Sequence, residues 1–138
     1  SPINIVSSDT SPRLWLMKIN PGEKPTIYIS NEVNISDNLK SNSIFLSAIL
    51  PIAVENILDY MIANIQQIDD EPWFEDWQKL FEVLKVSLPE SSAETEEFDI
   101  FKENFLERWL KLMKQKLYDP ALQDLNSQNS NEGDFNEV

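Results

Sequence analysis

The stretch from Ser43 to Ile68 constrains this chain more than any other part of it. It carries Ile44, Phe45, Leu46, Ala48, Ile49, Leu50, Ile52, Ala53 and Val54, then Ile57, Leu58, Met61, Ile62, Ile65 and Ile68, with only Glu55 and Asp59 charged. Apolar surface left in water forfeits about 25 cal/mol per Å², so such a segment has to be covered on most sides. What precedes and follows it is therefore expected to be its wrapping.

Pro51 falls inside the run. Proline in a helix interior costs about 3 kcal/mol and removes one backbone hydrogen bond, whereas in the first turn it is welcome. The expectation is a break near Leu50, with a helix starting at Pro51 and an apolar stripe from Val54 to Ile68. Ser41 and Ser43 are candidate caps for the first part of the run. The uncharged portion, Ile44 to Val54, is 11 residues, against about 20 for a bilayer span. It reads as a core segment, and no membrane partner is expected.

Upstream, Leu14 to Ile19 alternates: Trp15, Met17 and Ile19 share one face, Leu14, Leu16 and Lys18 the other. Asn20-Pro21-Gly22-Glu23 has Pro and Gly where a type II turn needs them. Thr26 to Ser30 alternates again, with Ile27 and Ile29 on one face and Tyr28 on the other. Residues 13–30 thus predict a β-hairpin. A hairpin is marginal alone, and Ile3 to Val6 and Val33 to Ile35 are the candidate third strands.

Downstream, Trp73, Phe74, Trp77, Leu80, Phe81 and Leu84 keep helical spacing. Asp69 or Asp70 is the expected N-cap, with Glu71 and Pro72 in the first turn. A last helix, beginning at a Ser91 capping box or at Thr95 and ending near Tyr118, presents Phe98, Phe101, Phe105, Leu106, Trp109, Leu112, Met113 and Leu117 on one face. Asp119-Pro120 stops it. The fold class expected is α+β: an N-terminal β-hairpin, extendable to a three-stranded antiparallel sheet, then three to four packed helices. A single globular domain is expected over 1–118, with an acidic polar tail at 119–138.

Composition removes much chemistry. The chain has no cysteine and no histidine, which excludes thiol nucleophiles, Cys/His zinc sites and His-based triads. Its two glycines leave no Gly-rich phosphate loop. A net charge of -13 repels nucleic acid. Residues 1–68 hold six acids and four bases, 69–118 thirteen and seven, and 119–138 five and none, so the excess lies in the second half. No basic leader followed by a cleavage site is visible, and a cytoplasmic protein is expected. The start at Ser1-Pro2 suggests a processed chain or a piece of a larger one.

Candidate sites are few. The acids Asp69, Asp70, Glu71, Glu75 and Asp76 are the candidate ligands for a hard cation, although acids at a helix start are also what the helix dipole favours. Glu55 and Asp59, four apart, could share a proton or a metal if their face lined a cleft. Leu14, Leu16 and Tyr28, on the sheet face opposite the core, and Trp73, at a helix start, are the candidate protein contacts. No residue stands out as catalytic, and no cofactor is expected. The functional expectation is a non-enzymatic interaction or assembly domain, binding a protein partner or a second copy. The alternatives are an acidic mimic of nucleic acid and, least favoured, a carboxylate- and metal-dependent hydrolase.

Overall fold

A computed structural model describes residues 2–33 and 45–118, with the side chains of 116–118 excepted. The element order is β1 (Asn4–Ser8), β2 (Trp15–Lys18), β3 (Thr26–Ser30), a π-helical turn (Phe45–Ile49), α1 (Leu50–Ala63), a 3-10 turn (Ile68–Asp70), α2 (Phe74–Leu84) and α3 (Thr95–Tyr118). The class is α+β, with the strands N-terminal. Among the described residues three α-helices follow, rather than three to four.

The hairpin forms where the alternation predicts it. Strands β2 and β3 pair antiparallel with Leu16 opposite Tyr28 and Met17 opposite Ile27. Gly22 takes φ 78°, and the Glu23 N–H reaches the Asn20 carbonyl at 3.1 Å to close the turn. The third strand corrects the expectation of an antiparallel sheet. β1 lies beside β3, not beside β2, and runs parallel to it with Val6 opposite Tyr28. The sheet is mixed, in the order β1-β3-β2. Short alternating strands specify which side chains face inward but not the direction of their neighbour, so strand direction was open. Val33 sits in a turn whose N–H bonds the Ser30 carbonyl, and Ile35 lies outside the described residues, as do Ser41 and Ser43.

The apolar run becomes the central helix, and where a break near Leu50 was expected the structure has a change of helix type instead: Ile49 keeps helical dihedrals, φ -94° and ψ -55°. The π-helical turn ends at Ile49, and α1 begins at Leu50 with Pro51 in its first turn. Helix α1 stops at Ala63, earlier than the stripe through Ile68 implied. The Asn64 side-chain amide and backbone N–H both bond the Tyr60 carbonyl, at 2.9 and 3.0 Å. Ile68 is still buried, carried there by the 3-10 turn. Burial of the last isoleucine therefore does not need a continuing helix.

Helix α2 starts at Phe74, not at Asp69 or Asp70, which lie in the 3-10 turn before it. It ends where Lys85 takes the left-handed conformation at φ 57° and sends its N–H back to the last turn. Helix α3 starts at Thr95, the second of the two expected starts. Its Phe101, Phe105, Trp109 and Met113 are buried. Phe81 meets Phe101 and Phe105 edge-on, with centroids 5.5 and 5.7 Å apart, and Trp77 stacks on Phe105 at 5.9 Å.

The core is one cluster. Ile3, Ile27 and Ile29 of the sheet, Phe45 to Met61 of the central segment and the aromatic faces of α2 and α3 all belong to it. Phe45–Ala63 is long and apolar enough, by length and composition, to cross a membrane. Phe45, Ile49, Leu50, Ala53, Val54, Ile57, Leu58 and Met61, however, are buried inside the protein, which makes it the core helix of this fold.

Candidate interaction surfaces

The sheet has two unlike faces. Ile5, Trp15 and Met17 pack against the core beside Ile27 and Ile29. By the strand register the other face is formed by Asn4, Val6, Ser8, Leu16, Lys18, Thr26, Tyr28 and Ser30, with Leu14 continuing the β2 row. Val6, Leu16 and Tyr28 form one cross-strand row, as directly opposed residues project to the same side. None of Val6, Leu14, Leu16 and Tyr28 joins the core cluster or packs on it. Leu14 is 65% exposed and Val6 41%, while Leu16 and Tyr28 are half-buried among their neighbours.

The Lys18 ammonium lies 5.3 Å from the centroid of the Tyr28 ring, a cation–π contact that fixes the ring over the sheet. Lys18 is also the only charged residue among those nine, so among the described residues this face carries no acid, in a chain whose net charge is -13. Sequence reasoning picked out Leu14, Leu16 and Tyr28 but not Val6. The inward Ile5 beside it was the available signal.

Trp73 is placed differently from the expectation of an exposed aromatic. It is 4% exposed and lies against Tyr60 with ring centroids 6.1 Å apart. As part of the core it offers no surface to a partner. The stripe it starts on α2 turns Trp73, Phe74 and Trp77 inward together.

Lys102 on α3 bridges the α1 pair, with Nζ 2.6 Å from Asp59 and 3.7 Å from Glu55. The ammonium is held above its usual range mainly by the hydrogen bond to Asp59, partly offset by burial and reinforced by the charges of Asp59, Glu55 and Asp99. The pair thus faces a cation of the chain's own. In the second cluster Asp69, Asp70 and Glu75 are exposed, and Glu71 accepts the Gly22 N–H at 2.9 Å. That bond ties the hairpin turn to the approach of α2. Among the described residues no three or more carboxylates come together as a metal site.

No protein-family model, curated protein or solved structure matches this chain. Any functional argument has to rest on its own surfaces.

Proposed function

We propose that this chain is a non-enzymatic assembly domain, and that the outer sheet face docks on the same face of a second copy. The observation that carries this reading is the acid-free row Val6, Tyr28 and Leu16 with the exposed Leu14 beside it. Two copies, each at -13, repel wherever acids meet acids. The face without acids is where they can approach most cheaply, and its aliphatic and aromatic groups gain from leaving water. A cytoplasmic setting belongs to the same reading.

Size limits the strength of such a contact. Strands rising about 3.3 Å per residue and spaced about 4.8 Å apart give this small sheet a face of roughly 17 by 14 Å. That is well below the ~800 Å² per partner of a standard stable interface. Association on the order of 100 µM or weaker is the expectation, suited to a module that adds one contact within a larger assembly.

Sedimentation velocity from about 10 µM to about 1 mM covers the range in which so small an interface acts. The expected result is a rising sedimentation coefficient that Leu14→Glu combined with Leu16→Glu abolishes. Both side chains lie outside the core cluster, and an unfolding transition close to the parent's shows that the variant keeps its fold. A monomer throughout that range, or association indifferent to the double substitution, overturns the reading. Saturable binding of a different protein to this face by a chain that stays monomeric would keep an interaction domain but reject the second copy.

A further inference from the structure

Helix α3 and the segment 85–90, which joins α2 to α3, flank an open groove of about 490 Å³. The two walls are tied at one end. Arg108 Nη1 donates to the carbonyls of Leu84 at 3.1 Å and Lys85 at 2.6 Å, which places the guanidinium beside the Lys85 backbone. At the other end Glu90 and Glu97 line the groove. Between these ends lie the half-buried Leu88 and Ile100, which is 50% exposed. Half-buried Asn104 adds an amide on the helical wall.

The groove is therefore polarised: basic at the Lys85 and Arg108 end, acidic at the Glu90 and Glu97 end, apolar between. None of these four charges has an ion-pair partner among the described residues. Arg108 spends one nitrogen on the carbonyls, and its remaining N–H groups stay available. From Glu97 to Arg108 the helix rises about 16 Å at 1.5 Å per residue. An extended peptide covers that distance in about five residues.

We infer that this groove binds a short extended segment of a partner protein, with a carboxylate at one end, a cation at the other and apolar side chains between. The carboxylate meets Arg108 and Lys85, where a charge-assisted hydrogen bond is available. The cation meets Glu97 and Glu90, and the middle residues cover Leu88 and Ile100. Asn104 is placed to bond the peptide backbone. Recognition thus reads the order of charges along an extended strand, and a peptide with like charges at both ends meets repulsion at one of them. The groove is separate from the sheet face and stands whether or not that face associates.

The test uses the whole chain, ¹⁵N-labelled, with blocked pentapeptides. One has aspartate and lysine at opposite ends of a leucine-valine-leucine centre, one has glutamine at both ends and one has aspartate at both ends. The expected result is saturable amide shifts confined to residues 85–90 and 97–108, with Kd below about 1 mM for the dipolar peptide and at least about tenfold weaker binding for the other two. Glu97→Lys, at an exposed position, should weaken the dipolar peptide about fivefold or more. That substitution also takes an acid from the first turn of α3 and should lower the unfolding midpoint slightly, so an unliganded amide spectrum that matches the parent's outside the residues around 97 shows that the loss belongs to the groove. Equal binding of all three peptides, no saturation, or shifts located elsewhere would overturn the inference. So would the same residues shifting on dilution of the protein alone, since the occupant would then be a second copy.

Discussion

Trp73 and Trp77 stand four apart at the start of α2, both nearly inaccessible, and differ in one hydrogen bond. Trp77 Nε1 donates to the Pro2 carbonyl at 3.0 Å, across 75 residues of chain. Trp73 Nε1 is buried with no acceptor among the described residues. A buried donor without a partner costs about 1–3 kcal/mol, whereas a satisfied one contributes about 1 kcal/mol. Trp77→Phe should therefore destabilise by about 2 kcal/mol, because it removes a made bond and leaves space beside Phe105. Trp73→Phe should cost under about 1 kcal/mol, since it also removes an unsatisfied group. Urea unfolding of the two variants checks the order, and an equal loss for both would refute this account of the indoles. The helical spacing made both tryptophans legible as core. It could not show which would find an acceptor, because the acceptor is a carbonyl 75 residues away in sequence.

Between elements, the α1–α3 contact carries a pH dependence. Lys102 titrates above its ordinary value of 10.5 in the folded protein, chiefly through its hydrogen bond to Asp59. A raised folded value means that the charged form is favoured by folding. The stabilisation is complete below the unfolded value of about 10.5 and disappears as pH rises through the higher folded value. The partners are half exposed, at 51% and 52%, so the bridge is worth about 0.5 kcal/mol. Lys102→Met should accordingly be less stable than the parent at pH 7 to 9, by thermal or urea unfolding, with the difference closing as pH rises beyond 10.5 through the higher folded value. At the end of α2, Lys85 holds φ 57°, a conformation that glycine adopts without steric cost. Lys85→Gly should raise stability by about 0.5–1 kcal/mol in the same assay. The helices themselves were legible because their apolar stripes are long and periodic. The start of α1 at Leu50, with Pro51 in its first turn, followed from backbone chemistry alone. The parallel direction of β1 and the early end of α1 were not legible, since Ile3, Ile5 and Ile68 reach the core whichever backbone path delivers them.

At the scale of the whole molecule, charge decides between the ways this protein could bind. The alternation in β2 and β3 already separated Leu16 and Tyr28 from Ile27 and Ile29, so the outer sheet face could be read from the strands. The groove beside α3 could not, as its two walls meet through the bonds from Arg108 to the Leu84 and Lys85 carbonyls, which link separate elements. Of these surfaces, the sheet face has a distinctive dependence on salt. Each copy carries -13, and bringing two together raises their mutual repulsion, which salt screens over a Debye length of about 10 Å at 0.1 M and about 3 Å at 1 M. Contact through an acid-free apolar face should therefore tighten as salt rises, by roughly two- to fivefold between about 50 mM and about 500 mM sodium chloride. An acidic mimic of nucleic acid behaves oppositely, because its attraction to a basic site is the term that salt removes. Sedimentation velocity of the chain alone across that salt series checks the first of these behaviours. Association that weakens with salt would mean that opposite charges, rather than the Val6–Tyr28–Leu16 row, hold the copies together.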